Sequence, residues 1–238
     1  MLKPFAILCM CSVLHAKICA QTADPVFRNE GDRFFDSVMR EQEPVHRGAE
    51  YWKFPYKILN GIIYFHSDTI TKGRLQYYNR SYNNVPLIYD QSTDELITVD
   101  LSGKVMIRLF SPQVGSFKIH GSEFINLQDS LNPLRQGFWQ ILVQSEPRVL
   151  KRELKTIRTR IIDHKLARLI EAQRFYRVFY KGKYHEVQDR KAMIGVFADH
   201  KKELQIFLRK NRRRFRKAGY ETMLVRTAEY YSQLSSNR

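Results

Sequence analysis

From residue 57 to residue 143, short runs rich in β-branched and aromatic residues recur every eight to twelve positions between turn formers. That spacing predicts an antiparallel meander of hairpins. The runs are 62–66, 74–79, 85–89, 95–100, 105–110, 116–120, 123–127 and 137–143, with Asn60-Gly61 as the first turn. Between them stand Asn79-Arg80-Ser81, Asp90 to Asp94, Ser102-Gly103, Ser111-Pro112 and His120-Gly121. These residue types turn a chain by positive φ, by fixed φ or by side-chain bonds to the local backbone. Such a sheet buries a face by curling into a partly open barrel or by stacking as a sandwich, and the pattern fits both.

Beyond residue 143 the pattern is mixed. Leu150, Leu154, Ile157, Ile161 and Ile162 recur at helical spacing with Lys and Arg between them, yet Gln144-Ser145-Glu146-Pro147 reads as a hairpin turn. The expectation is a strand to about Ile157, then an irregular or helical connection. Runs 175–180 and 184–188 around Lys181-Gly182-Lys183 predict a further hairpin. The last fifty residues read as helices. Asp189 caps the first, carrying Ala192, Met193, Val196 and Phe197 on one face; Asp199 caps the second, with Leu204, Phe207, Leu208 and Phe215, and Gly219 ends it. A third runs from about Tyr220 through Leu234. The class is therefore α+β: a meandering antiparallel β-sheet followed by C-terminal helices.

The first twenty residues form a separate object. Lys3 precedes an apolar stretch over 4–14, and Cys19-Ala20 before Gln21 offers a cleavage site, the pattern of a secretory signal peptide. The apolar stretch is about half of the roughly 20 residues that span a bilayer. The expected organisation is a signal peptide at 1–20, a lead-in at 21–56 with a short amphipathic helix carrying Phe34, Phe35, Val38 and Met39, a β body at 57–188, and basic helices at 189–238. The expected location is extracytoplasmic, in the periplasm or cell envelope, after cleavage near Ala20. All three cysteines, Cys9, Cys11 and Cys19, lie in the leader. A chain cleaved there has no disulfide framework, thiolate nucleophile or Cys-bound metal.

Charge is divided unevenly. Residues 21–147 carry 13 Lys+Arg and 15 Asp+Glu, whereas residues 148–238 carry 25 and 9. The densest run is Arg209, Lys210, Arg212, Arg213, Arg214, Arg216 and Lys217, a candidate contact for an anionic surface. Export separates the chain from most nucleic acid, so the expected partner is an envelope protein or an anionic envelope component, reached by a peripheral membrane contact or through an acidic glycan. No P-loop, GxGxxG, GxSxG or HExxH occurs in residues 21–238. Asp90, Ser92 and Asp94 open like a calcium loop, but Glu95 and Leu101 replace the Gly and Glu that such a loop needs, so a turn is the better reading. No metal and no cofactor is expected. His66 and Asp68, read as alternate residues of one strand, are the catalytic candidates, since a histidine beside a carboxylate transfers protons. The leading reading is a non-enzymatic interaction or structural protein of the cell envelope. The alternatives are anionic lipid or acidic glycan binding through the basic helices, and an enzyme acting on an envelope polymer.

The blocks Tyr64-Phe65-His66-Ser67-Asp68, Gly73-Arg74-Leu75, Tyr82-Asn83-Asn84-Val85-Pro86-Leu87 and Tyr89-Asp90 with Asp94-Glu95-Leu96 resemble an uncharacterised family of exported proteins from Bacteroidota. Gly137-Phe138-Trp139, the hairpin at 180–187, Lys201-Lys202-Glu203-Leu204 and Glu229-Tyr230-Tyr231 are similar too. The resemblance implies export and a β-rich body with C-terminal helices; it carries no activity and no functional residues.

Overall fold

The computed structural model describes residues 43–128 and 136–236; the leader, its cleavage site and the expected helix at 34–39 lie outside the described residues. The sheet strands are β1 (Ala49–Glu50), β2 (Thr71–Tyr77), β3 (Arg80–Asp90), β4 (Glu95–Val99), β5 (Met106–Arg108), β6 (Val114–Ile119), β7 (Ser122–Leu127), β8 (Gly137–Val143), β9 (Arg148–Ile162), β10 (Lys165–Tyr180) and β11 (Lys183–Glu186). They make one open antiparallel sheet in the order β1-β5-β4-β3-β2-β6-β7-β8-β9-β10-β11. The meander follows from its turns. Tyr78-Asn79 and His120-Gly121 adopt positive φ, the conformation that lets a two-residue loop match strand twist.

Strand β3 forms the corner: its first part pairs with β2, as in Leu87↔Thr71, and its end with β4, as in Ile88↔Ile97. Inward alternation puts Leu75, Tyr77, Leu87, Tyr89, Leu96, Phe117, Phe124 and Phe138 in one core. Phe117 stacks on Phe124 at 4.7 Å, and Tyr89 and Phe138 meet Phe117 edge-on. A fully buried side chain of this size contributes about 1.5–3 kcal/mol. Of the aromatic residues of the sheet, Tyr77, Tyr89, Trp139, Tyr176 and Tyr180 are buried, whereas Tyr78, Phe175 and Tyr184 are exposed.

The sheet curls until the β3–β4 turn meets β9. The Lys155 N–H donates to the Gln91 carbonyl at 3.0 Å, and Arg152 Nη2 pairs with Asp94 Oδ2 at 2.7 Å. Gly137 sits under this clasp at φ +113°, and a Cβ there would collide with the Asp94 carboxylate. The Asp90 to Asp94 stretch is a turn: Asp90 Oδ1 accepts from the Ser92 N–H and hydroxyl, and Oδ2 from Tyr51.

Two expectations are corrected in this body. Residues 62–66 make only an isolated bridge, Tyr64↔Asp90, because His66 takes φ +64° and ends any extension. Residues 149–170 contain neither helix nor irregular connection: β9 and β10 pair continuously from Phe179↔Arg148 to Lys165↔Ile162 as one long ribbon. Only its root meets β8, through Val143↔Val149, Ile141↔Leu150 and Gln140↔Lys151.

The helices are α1 (Arg190–Val196), a 3-10 turn (Ala198–His200), α2 (Lys201–Lys210), α3 (Arg212–Ala218) and α4 (Tyr220–Ser236). Asp189 caps α1 as expected, its Oδ1 accepting from the Ala192 N–H at 2.7 Å. Asp199 does not cap α2; it lies in the 3-10 turn and accepts from the Tyr231 hydroxyl at 2.7 Å, leaving His200 at the cap position. The second helix is broken at Asn211, whose side-chain amide takes the Phe207 carbonyl. Gly219 at φ +91° ends α3 and lets α4 turn back. Met193, Phe197, Leu204, Leu208, Leu224 and Ala228 pack with Val149 and Val178 of the ribbon root in a second core. Among the described residues, no helix is long and apolar enough to cross a membrane.

Candidate anion-binding site

Helices α1 and α2 both turn their buried stripes inward, Met193 from the first, with Phe197 just past its end, and Leu204 and Leu208 from the second. The tight 3-10 turn between them holds their outer flanks apart. A groove of about 1150 Å³ opens there. Its apolar lining is Ile194, Ala198 and Ile206, with Gly195 exposing bare helix backbone. Ile206 is 57% exposed, on the flank of α2 away from the buried Leu204 and Leu208.

Six cations line this apolar strip: Arg190, Lys191, Lys201, Lys202, Arg209 and Arg212. None of them forms an ion pair with a carboxylate among the described residues. Glu203, the acid of α2, faces the other way, 4.0 Å from His200 Nδ1. The next acid along, Asp199, is engaged by Tyr231, Tyr180 and, at 3.8 Å, Lys181. Burial alone would raise its carboxyl; the hydrogen bonds from Tyr231 and Tyr180 and the charge of Lys181 outweigh that and hold it below the ordinary carboxylate range. Burial, with the hydrogen bonds of its hydroxyl to Tyr180 and to the Asp199 carboxylate, pushes the Tyr231 phenol upward, so it stays a donor. Glu203 and Asp199 are thus turned or tied away from the groove, and Asp189, beside Arg190, is engaged in capping α1.

Sequence reasoning finds this site only in part. Of its seven candidate cations, Arg209 and Arg212 reach the groove, while Lys210, Arg213, Arg214, Arg216 and Lys217 lie elsewhere on the exposed surface of α2 and α3. It misses Arg190, Lys191, Lys201 and Lys202, which the 3-10 turn brings beside them. Ile206, off the Leu204-Leu208 stripe, and Gly195, inside a helix, are the signals that point to them.

The catalytic candidates are not assembled. His66 and Asp68 are exposed in an irregular loop, not on a strand face, and no hydrogen bond joins them among the described residues. The His66 ring lies against Phe65 and 5.5 Å from the ring of His120; the Asp68 backbone carbonyl, not its carboxylate, accepts from Lys53 Nζ. Among the described residues, no group of three or more His, Cys, Asp and Glu converges as a metal site would require.

No protein-family model, no curated protein and no solved structure matches this chain.

Proposed function

We propose that the protein is a non-enzymatic binding protein of the cell envelope that holds an anionic amphiphile, an acidic lipid, in the groove between α1 and α2. The observation that carries this reading is the ring of six cations without carboxylate partners around an apolar strip. An acidic glycan would use the charges but leave Ile206 and Ala198 in water, whereas an acyl chain covers them. Desolvating an aliphatic strip of this kind contributes roughly 25 cal/mol per Å² of apolar area. Each Lys or Arg near an anionic surface adds on the order of 1 kcal/mol.

The test is equilibrium binding of short-chain phosphatidylglycerol below its micelle threshold, against phosphatidylcholine and a sulfated oligosaccharide. Arg190→Gln/Lys202→Gln/Arg209→Gln should weaken phosphatidylglycerol binding by about two orders of magnitude, three charges at about 1 kcal/mol each. Gly195→Leu should block the groove without unfolding the helix, since a Cβ there meets nothing within 4 Å. Replacing a helical Gly even gains about 0.8–1 kcal/mol of propensity. Unchanged binding by Gly195→Leu, or equal binding of the oligosaccharide, would sink the lipid reading.

A further inference from the structure

The outer half of the β9–β10 ribbon is the part of the protein that packing explains least. Asp163-His164 closes it as a two-residue turn, both at positive φ, so Ile162↔Lys165 is the hydrogen-bonded closing pair. Bonded and outward pairs alternate along an antiparallel strand, which points the backbone N–H and C=O of Ile157, Thr159 and Ile161 away from β10. Lys155 confirms the phase, because its N–H reaches outward to the Gln91 carbonyl. Beyond it, among the described residues, no backbone partner meets this edge. The opposite edge of the ribbon is covered at Arg168 and Ile170, where the Leu59 N–H and the Asn60 side chain supply strand-like hydrogen bonds. One edge is closed and the other is open.

Side chains specify what fits there. Ile157, Thr159 and Ile161 share one face, and Ile161 stands opposite Leu166; these two are 75% and 67% exposed. Arg158 and Arg160 project from the other face, where Glu171 alone answers both. Residues 155–170 hold Lys155, Arg158, Arg160, Lys165 and Arg168 against a single acid, Asp163. A second copy is a poor occupant: antiparallel pairing about Thr159 would set each Arg158 against the other copy's Arg160, a like-charge pair that destabilises a sheet. A bilayer is also a poor occupant, because Asp163 and His164 lead the ribbon and would enter apolar surroundings before Ile161 and Leu166.

We infer that the β9 edge from Ile157 to Ile161 accepts an extended acidic segment of a partner protein as an added strand. Main-chain bonds to Ile157, Thr159 and Ile161 supply affinity. Apolar side chains beside Ile157 and Ile161, alternating with carboxylates beside Arg158 and Arg160, supply selection. This inference uses residues remote from the α1–α2 groove, and it survives if that site binds nothing.

The experiment uses the full chain and, as probe, a blocked heptapeptide alternating Glu with Val, followed by NMR amide exchange. Exchange at Ile157, Thr159 and Ile161 should slow about tenfold or more at saturation, as expected when an exposed amide gains a main-chain bond. Thr159→Pro removes one outward N–H at a position an edge strand tolerates. The variant should keep its melting temperature within a few degrees and lose affinity about tenfold. Arg158→Glu/Arg160→Glu should exchange preference for the Glu/Val peptide with preference for a Lys/Val one, which keeps the inference testable if Thr159→Pro fails to fold. Unprotected amides at saturating peptide, or full-strength binding by Thr159→Pro, overturn it. So does protection that depends on protein concentration alone, which would assign the edge to a second copy, or protection by phosphatidylglycerol vesicles but not by peptide.

Discussion

Two ion pairs of equal length, 2.7 Å, stand on one strand: Arg152 with Asp94 near the root of the β9–β10 ribbon, and Arg160 with Glu171 near its free end. The side chains of the first are 7% and 17% exposed, those of the second 62% and 46%. The contact distance is therefore the same and the exposure to water is not. At the root, Asp94 also accepts from the Tyr89 hydroxyl at 2.6 Å, and burial with the nearby Asp94 charge drives the Tyr89 phenol far upward. The lesson is that this strand is two objects: a structural member to about Ile157, which still packs against Ile63, Tyr64 and Ile88, and beyond it a ribbon end whose β9 side chains are exposed.

The largest break should come from Asp94→Ala. Removing one partner of a buried pair strands the other, so a loss of about 3–5 kcal/mol in urea unfolding is expected, against about 0–1 kcal/mol for Glu171→Gln. Equal costs would erase the distinction between root and end. Next in size are the aliphatic truncations. Leu150 is fully buried between β8 and the ribbon root, and Leu150→Ala should cost about 2–5 kcal/mol, whereas Ile161→Ala should stay within roughly 0.5 kcal/mol.

The smallest effect is a pH dependence at the root. Glu153 is half-buried, which alone would raise its carboxyl, but Arg174 at 2.8 Å and Lys151 at 3.4 Å outweigh burial and hold it below the ordinary range. A carboxyl with a lowered folded pKa stabilises fully above its unfolded value, about 4.3, and that contribution disappears as pH falls through the lower folded value. Glu153→Gln should therefore cost on the order of 1 kcal/mol at neutral pH and progressively nothing in acid, as read from urea midpoints across the range. A cost that persists in acid would mean packing, not charge, sets it.

The contrast also explains what can be read without coordinates. From β2 to β8 turn residues mark the reversals and each strand overlaps an expected run, although β3 begins at Arg80, within the expected turn at 79–81; alternation is clean in β6 but not in β3 and β4, where Leu87 to Asp90 and Leu96 to Thr98 are buried on both faces. In β9 and β10 the burial rule changes along the strand. Val149 and Leu150 are both buried, on opposite faces, while Arg160 and Ile161 are both exposed, so no two-residue period survives. Leu150, Leu154 and Ile157 then mimic a helix by coincidence. Asp163-His164 gives little warning either, because neither residue is glycine although both take positive φ. For the groove, charge density was legible at Arg209 and Arg212, but the cations of α1 join them only through a three-residue turn, and no local pattern encodes that juxtaposition.

The clasp of Asp94 and Arg152 over Gly137 has a mechanical meaning. Beyond Arg152 the ribbon is also held at Lys155, by Gln91, and on its other strand at Arg168 and Ile170, by Leu59 and Asn60. Only the last few residues before the turn stand clear of these ties, on the order of 10 Å of chain at roughly 3.3 Å each. A side chain at residue 137 would meet the Asp94 carboxylate and so load the same β3–β4 turn that anchors the ribbon through Gln91.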